Sequence, residues 1–345
     1  MSETSGHESG LAELSAHWGS GSVHLVPGQV PAGSPDRSVR RLVVADAGGG
    51  LFVLEGVRSE RASFRIRQAQ ILQALVGAGV APLIPWMATP DGSWGVFADG
   101  LFWQRRRWLD SAELPREKYG RHAWRGDALG DFLIRLRHGG EHLPPALRGS
   151  VFSMVGYIDM LLPMIAARHA ALHTDLLPIW AQLAEFRAAH DQLPLAWSHG
   201  DLHPLNALWT QDGLNGVIDW EFTGMKTECY DLANLLGCLG MDNPEFLTGV
   251  MAEAVCTRLA RAGQLGAETW HWLPEYIAAQ RFGWMREWCW RQRRDMMCQE
   301  LDFMWLLLDN RDFLRQRWGA WRVGAGSSVI PPADARPFRE EVTKR

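Results

Sequence analysis

Residues 198–206 read Ser-His-Gly-Asp-Leu-His-Pro-Leu-Asn, and residues 217–221, a short distance further on, read Val-Ile-Asp-Trp-Glu. In the first segment four residues separate Asp201 from Asn206, and in the second Asp219 closes an apolar run. Two carboxylates and an amide oxygen in this order form the layout that a phosphoryl-transfer site requires.

Each of the three side chains has its own expected role. Asp201 is expected to accept or orient the proton of an attacking hydroxyl group. Asn206 and Asp219 are expected to hold Mg²⁺ against nucleotide phosphates, because hard oxygen ligands suit a hard cation. We therefore predict Asp201 and Asn206 as catalytic residues, and Asn206 and Asp219 as ligands of the metal and its nucleotide.

These segments resemble the aminoglycoside phosphotransferase and choline kinase group, which are small-molecule kinases with a protein-kinase-like fold. The catalytic loop of that family reads His-Gly-Asp, four residues, Asn, as residues 199–206 do, and its metal-binding aspartate lies in an Ile-Asp-Trp setting, as at 218–220. Tyr-Asp-Leu-Ala at 230–233 matches the next landmark of the family. The resemblance implies transfer of a phosphoryl group from ATP, with Mg²⁺, to a small molecule's hydroxyl. It also implies that Asp231 braces the catalytic loop.

The resemblance further implies an α+β, two-lobe protein-kinase-like fold, with an N-terminal antiparallel sheet lobe and a larger, mainly helical C-terminal lobe. We assign residues 1–109 to the nucleotide-binding lobe and expect about the first 15 of them to be flexible. Residues 110–318 form the helical catalytic and substrate lobe, and residues 319–345 form a loose tail. Asp99-Gly100 is typical of a type I′ hairpin turn, and helical spacing of apolar residues dominates after residue 110.

The third predicted strand, residues 51–57, departs from the family pattern. A kinase-like third strand ends in a lysine that binds the nucleotide phosphates, whereas this strand has Glu55 at that place. We therefore assign Glu55, with Asn206 and Asp219, to the cofactor-binding residues. A carboxylate about 4 Å from a phosphate oxygen costs on the order of 4 kcal/mol at an effective dielectric constant of about 20. Four interpretations of Glu55 stay open. An arginine pairs with Glu55, so that the two charges of the usual lysine–glutamate contact are exchanged, or the nucleotide is held by other residues. Alternatively, catalysis is lost, or Glu55 is an ordinary residue at the edge of the sheet. The candidate arginines are Arg40, Arg41, Arg65 and Arg67.

Two other segments of the first lobe also carry expectations. Residues 28–38 join the first two strands, where a kinase-like fold covers the phosphates with backbone N–H groups. No Gly-x-Gly-x-x-Gly stands there, and a solvent-exposed Pro/Gly connection is an equal alternative. Arg105, Arg106 and Arg107 form a basic run on the last strand, and we expect them to be solvated.

Near the catalytic loop, we expect His199 to orient the backbone and His203 to be exposed. Glu221 lies two residues after Asp219 and points to the same side of an extended segment. It contacts metal or substrate, or it is a surface acid.

The last helices carry many tryptophans, which either line a pocket for a quaternary ammonium group or pack in the core. Core packing is the preferred alternative.

Composition excludes several classes of partner. The net charge is −4, from 35 basic and 39 acidic residues among 345, so nucleic acid and anionic membranes are not expected partners. Five cysteines without a Cys-x-x-Cys pair, and a polar start without a secretory pattern, favour reduced thiols in the cytoplasm. The longest apolar stretches are too short to span a bilayer. The oligomeric state is not determined by the sequence.

We therefore predict an ATP- and Mg²⁺-dependent phosphotransferase that acts on a hydroxyl group of a small molecule. The alternative is a non-catalytic, kinase-like binding or regulatory protein. Glu55 suggests that alternative, and the complete set of Asp201, Asn206 and Asp219 opposes it. Amino alcohols such as choline or ethanolamine, sugars and nucleoside-like alcohols stay open as acceptors. An aminoglycoside is not expected, because the last helices have no concentrated acidic patch for a polycation.

Overall fold

The computed structural model describes residues 10–29, 37–112, 114–211 and 213–324. The chain divides into two compact units. The first comprises Met1–Glu113, His142–Arg148 and Leu205–Glu221, and the second comprises Leu114–Glu141, Gly149–Pro204 and Phe222–Arg345. The chain thus passes between the units more than once, and the domain boundaries expected after residues 109 and 318 stay a prediction.

Five strands of the first unit form one antiparallel sheet in the order β1-β2-β3-β5-β4. Two further antiparallel pairs are β6 with β9 and β7 with β8. Asp99 and Gly100 have φ angles of 51° and 73°, which confirms the type I′ turn between β4 and β5. The strands are β1 (Val23–Leu25), β2 (Arg40–Asp46), β3 (Leu51–Arg58), β4 (Val96–Ala98), β5 (Leu101–Arg107), β6 (Leu195–Ser198), β7 (Ala207–Trp209), β8 (Leu214–Val217) and β9 (Gly224–Thr227).

Helices dominate the second unit. In the described ranges the helices are α1 (residues 10–16), α2 (Ala62–Gly77), α3 (Arg116–Tyr119), α4 (Ala123–Glu141), α5 (Pro145–Arg148), α6 (Met154–Arg168), α7 (Ala170–Gln182), α8 (Ala184–His190), α9 (Tyr230–Asp242), α10 (Val250–Arg261), α11 (Ala267–His271), α12 (Leu273–Trp290), α13 (Arg294–Asp309) and α14 (Arg311–Arg322). Helix α14 extends past residue 319, where the loose tail was expected to begin, and residues 325–345 lie outside the described part. None of the helices described here has both the length and the apolar character needed to cross a membrane.

One face of the five-stranded sheet is apolar and packs with α1. Strand side chains alternate between the two faces, so every second residue of the central strands points into this core. The buried members are Leu11, Leu14, Trp18, Val23, Val44, Leu54 and Trp103. A buried leucine contributes roughly 1.5–3 kcal/mol relative to an exposed one, which explains why residues 10–16 are helical although a flexible start was expected.

The opposite face of the sheet is polar where it meets α2. Glu55 on β3 lies between Arg41 on β2 and Gln104 on β5, which are its cross-strand partners. The side-chain amide of Gln104 donates a hydrogen bond to the backbone oxygen of Arg65 on α2, with a nitrogen–oxygen distance of 3.3 Å. Strand alternation therefore places the charged residues of three strands against one helix.

The tryptophans of the last helices differ in burial. Trp270 and Trp318 are buried, which confirms core packing for these two. Trp290 is 73% exposed, so core packing is wrong for it. Trp284 and Trp288 are half-buried and stack on each other with ring centroids 6.0 Å apart, as expected for residues four apart on one helix.

Candidate active site

The loop that carries Asp201 follows β6 in the second unit. Gly200 has a φ angle of 89°, and a Cβ atom there would lie 2.1 Å from the backbone oxygen of Phe222. Only glycine fits this position. The backbone N–H of Asp201 donates to Nδ1 of buried His199 at 3.2 Å. His199 therefore orients the backbone that carries Asp201, as the sequence predicts.

Asp231, in the first turn of α9, holds the same loop through its carboxylate group. Its two carboxylate oxygens accept hydrogen bonds from the backbone N–H groups of His199 and Gly200 at 2.7 and 2.8 Å. This confirms the expected bracing role. Burial raises the pKa of Asp231 to about 6, although the two backbone hydrogen bonds and nearby Lys226 favour the ionised form.

Lys226 on β9 is the buried cation that faces Asp231. Its ammonium group lies over the rings of Phe152 and Tyr230, at 4.8 and 5.0 Å from their centroids. Burial lowers the pKa of Lys226 to about 8, and attraction to Asp231 partly offsets this. No sequence motif indicates a role for this residue, because its position depends on the pairing of β6 with β9.

The exposure of His203, in the same loop, differs from the prediction. It was expected to be an exposed loop histidine, yet its side chain is only 16% exposed and its Nε2 atom lies 3.9 Å from Oδ1 of Asp201. The two residues are separated by one position, and the turn of the loop brings their side chains to the same side. The His203 ring therefore lies beside the carboxylate of Asp201.

The acid limb of the pH–activity profile should report Asp231. The folded protein binds a proton at Asp231 more tightly than the unfolded chain does, because burial raises this pKa from 3.8 to about 6. The contribution of Asp231 to stability is therefore greatest below about pH 4 and declines as the pH rises through about 6. Turnover should show the opposite trend and fall below about pH 6, because a protonated carboxyl group braces the loop less strongly.

Measurement of kcat between about pH 5 and 8, with circular dichroism at each pH, checks this expectation. The Lys226→Met variant should move the acid limb to higher pH, because the loss of the ammonium group raises the pKa of Asp231 further. Lys118→Met is the matched control, since Lys118 is exposed on α3. A flat acid limb, or an identical shift in both variants, contradicts the assignment.

Asn206 and Asp219 flank the β7–β8 hairpin in the first unit. Ala207 pairs with Val217, and the backbone N–H of Ile218 donates to the backbone oxygen of Asn206 at 2.9 Å. Asn206 and Asp219 therefore lie at the same end of the two strands, as predicted. Asp219 has a φ angle of 65°, a left-handed conformation that costs on the order of 1–3 kcal/mol and clusters at functional sites.

Asp219 lines a pocket within the first unit whose walls carry many charges. Four arginines and three carboxylates share this pocket with apolar residues, among them Trp86. The charged residues are Arg37, Arg41, Glu55, Arg65, Arg106, Asp219 and Glu221. An excess of guanidinium groups over carboxylates suits an anionic ligand.

Glu55 and Arg65 form an ion pair in this pocket, and both side chains are buried. Arg65 also donates from Nη1 to the side-chain oxygen of Gln68 at 3.2 Å. The charge-swapped contact is therefore present, and Arg65 is the partner among the four arginines considered. The alternative that Glu55 is an ordinary edge residue is wrong, because Glu55 lies on central strand β3 and points towards α2.

The side chain of Glu221 is largely covered, so its assignment as a surface acid is wrong. Its side chain is only 9% exposed and lies among arginines, with Arg37 and Arg61 each 3.5 Å away and Arg65 3.8 Å away. Arg37 also lies 3.8 Å from Oδ1 of Asp219. These distances exceed those of direct hydrogen bonds. Opposite charges at these distances still attract each other.

The basic run on β5 requires a correction as well. Arg105 and Arg106 are only 1% and 9% exposed, whereas all three arginines were expected to be solvated; Arg107 is exposed. The guanidinium group of Arg105 stacks on Phe52, 3.6 Å from the ring centroid, and Arg106 points to the opposite face. Arginine side chains pack on aromatic rings while they keep their charge, which sequence composition alone does not reveal.

The oxygen atoms of Asn206 and Asp219 are a suitable donor set for Mg²⁺. This cation takes one or two protein carboxylates and completes its shell with phosphate oxygens and water. Over the described residues, no group of three or more His, Cys, Asp or Glu side chains is arranged to hold a metal ion, so the carboxamide of Asn206 matters.

The connection at 28–38, expected to cover the phosphates or to be a plain loop, lies mostly outside the described residues.

The sheet with α2 on its polar face, and the helical unit with its His-Gly-Asp loop, define the class of protein-kinase-like folds. A sequence profile described as the phosphotransferase enzyme family matches residues 30–276. The chain belongs to this phosphotransferase enzyme family. No curated protein sequence matches the chain.

Solved structures confirm the α+β, protein-kinase-like fold. The GDP complex of wild-type aminoglycoside 2'-phosphotransferase-IIIa is 15% identical, with a TM-score of 0.62 over 89% of this chain and 99% of that one. Amicoumacin kinase in complex with AMP-PNP, Ca²⁺ and Ami is 14% identical, with a TM-score of 0.55 over 87% and 90%. A choline/ethanolamine kinase family protein from Mesorhizobium loti is 19% identical, with a TM-score of 0.54 over 86% and 94%.

Proposed function

We propose that this phosphotransferase moves the γ-phosphoryl group of ATP, bound with Mg²⁺, to a hydroxyl group of a small molecule. The observation that carries the proposal is the position of Asp219 in an arginine-rich pocket, at the same end of the β7–β8 hairpin as Asn206. Oxygen ligands for a divalent cation and guanidinium groups for phosphates thus occur together in the first unit. This combination is what a polyphosphate with its metal requires.

In this proposal Asn206 and Asp219 hold Mg²⁺, which neutralises charge on the phosphates. Asp201 orients the acceptor hydroxyl and takes its proton, while His199 and Asp231 hold the backbone of Asp201 in place. Catalysis in such sites is mainly positioning and electrostatic stabilisation. The buried, hydrogen-bonded loop around Gly200 supports this role, because a fixed carboxylate loses little entropy when the substrate binds.

Glu55 keeps a place in the nucleotide site, as the residue that positions Arg65. A carboxylate repels a phosphate about 4 Å away by on the order of 4 kcal/mol, and an adjacent guanidinium group attracts it by a similar amount. The buried pair therefore presents little net charge to the nucleotide. A glutamate in place of the strand-3 lysine therefore need not abolish nucleotide binding. The Glu55–Arg65 pair thus favours the enzyme over the non-catalytic alternative.

The names of the solved relatives suggest which donors and acceptors to test. One relative holds AMP-PNP and another holds GDP, so ATP and GTP are compared as donors. Kanamycin occurs in a third complex, and a fourth relative belongs to the choline/ethanolamine kinase family. We propose a small alcohol as acceptor, and the cytoplasmic location of the enzyme stays a prediction.

The test is transfer of radiolabelled γ-phosphate to a panel of amino alcohols, sugars and nucleosides, with Mg²⁺ and with excess chelator. We expect a labelled product for at least one acceptor, abolished by the chelator. A parallel thermal melt with Mg²⁺ and ATP should raise Tm, because a ligand that binds only the folded state stabilises it. If the melt shows stabilisation but no acceptor is labelled, the non-catalytic alternative is favoured; if neither occurs, the proposal fails.

A further inference from the structure

Arg106 lies on the wall of the arginine-rich pocket, on the strand next to Glu55. It is the cross-strand partner of Val53, two residues before Glu55 on β3. Because strand residues two apart point to the same face, the side chains of Arg106 and Glu55 share the polar face of the sheet. Arg106 is 9% exposed and lines the same pocket as Asp219 and Glu221.

Two other pocket arginines form ion pairs with carboxylates, and Arg106 differs from them in this respect. Arg65 pairs with Glu55, and Arg37 lies near Glu221 and Asp219. Within the part of the chain that the structure describes, Arg106 makes no ion pair; its guanidinium group lies 5.7 Å from the centroid of the Trp86 ring. Arg106 is therefore a buried cation whose charge the protein itself does not fully satisfy.

The electrostatics of the pocket agree with this geometry. Burial lowers the pKa of Arg106, and Arg41 and Arg65 lower it further, whereas Glu55 and Asp219 raise it. The net direction is downward, so the folded protein holds this positive charge at a cost in free energy. Such a cost is removed when an anion of suitable geometry enters the pocket.

We propose that Arg106 binds the phosphate chain of the nucleotide and supplies the cation that a third-strand lysine supplies in the family that this chain resembles. The inference rests on the proposed function, and it adds a phosphate-binding residue from the last strand of the sheet. Arg65 is less suited to this task, because its two terminal nitrogens already donate to Gln68 and Glu55. The planar fork of Arg106 contacts two phosphate oxygens at once, which an ammonium group does not do.

The test measures binding of Mg²⁺–ATP and of inorganic tripolyphosphate by calorimetry, for the wild-type protein and three variants. Arg106→Met should weaken the binding of both ligands by about ten- to a hundredfold, the usual range for a lost charge-assisted contact. Arg106→Lys should recover part of this loss. Arg107→Met is the matched control, because Arg107 is the exposed neighbour on the same strand, and it should bind like the wild type.

A melt without ligand separates binding from folding. Arg106→Met should have a Tm equal to or above that of the wild type, because it removes a buried charge without an ion-pair partner. Equal ligand affinities for wild type and Arg106→Met overturn the inference, as does a wild type that binds neither ligand. A lower Tm together with weaker binding also overturns it, since Arg106 is then a structural residue.

Failure of this inference is distinguishable from failure of the proposed function. The proposed function fails if the wild type transfers no phosphoryl group to any acceptor, whatever Arg106 does. The inference fails on tripolyphosphate affinity alone, which requires neither turnover nor the acceptor. A protein that binds polyphosphate through Arg106 but transfers nothing keeps the inference and removes the proposed activity.

Discussion

Replacement of Asp201 with asparagine should lower kcat by about a hundred- to ten-thousandfold, the usual contribution of a positioned acid–base group. The carboxamide is almost the same size and keeps the loop packed, but it cannot take the proton of the acceptor hydroxyl. Affinity for Mg²⁺–ATP should stay within about twofold of the wild type, because Asn206, Asp219 and the pocket arginines are unchanged. Steady-state kinetics and calorimetry measure the two quantities separately.

The matched control for this variant is Asp175→Asn. Asp175 is an exposed aspartate on α7 of the same unit, so its replacement should leave both quantities unchanged. Full activity in Asp201→Asn refutes the assignment of the proton acceptor. A large loss of nucleotide affinity together with kcat is also contrary to it, because Asp201 then acts on binding.

Replacement of Glu55 with methionine should lower the free energy of unfolding by about 3–5 kcal/mol, the usual cost when one partner of a buried ion pair is removed. Arg65 is only 4% exposed, and its charge then keeps only the more distant carboxylate of Glu221, 3.8 Å away. Arg41 and Arg106 lie in the same pocket, so the variant also increases repulsion among guanidinium groups. Urea unfolding monitored by tryptophan fluorescence measures the change.

A double variant distinguishes this charge effect from lost packing. Glu55→Met combined with Arg65→Met removes both charges and should regain most of the lost stability, because apolar replacements of a buried pair are often neutral. Glu60→Met is the control for an exposed glutamate and should change stability by less than about 0.5 kcal/mol. If Glu55→Met alone is as stable as the wild type, Glu55 does not hold Arg65.

The local parts of the site could be predicted from the sequence because their signals lie within a few residues. The spacing of Asp201, Asn206 and Asp219, the hairpin between the last two, and the bracing by Asp231 all follow from short motifs. Asp99-Gly100 likewise fixed a turn through its own backbone preference. The turn residues are neighbours in the chain, whereas Asp231 lies 32 residues after His199 and its role was implied by the family resemblance.

The non-local parts could not be predicted in the same way. Four arginines were candidates for Glu55, and the choice of Arg65 depends on how α2 packs on the sheet. The burial of Arg105 and Arg106 depends on aromatic rings from other segments, Phe52 and Trp86. Lys226 enters the site only because β9 pairs with β6. A run of charged residues has the same composition whether its face is solvated or covered.

Metal binding by Asn206 and Asp219 is tested by a crystal structure of the protein with Mn²⁺ and a non-hydrolysable ATP analogue, with the metal located by its anomalous scattering. We expect a metal peak within bonding distance of the Asn206 carboxamide oxygen and the Asp219 carboxylate, with phosphate oxygens completing its shell. A metal bound by other residues, or phosphates that lie outside the arginine-rich pocket, contradicts the proposed site.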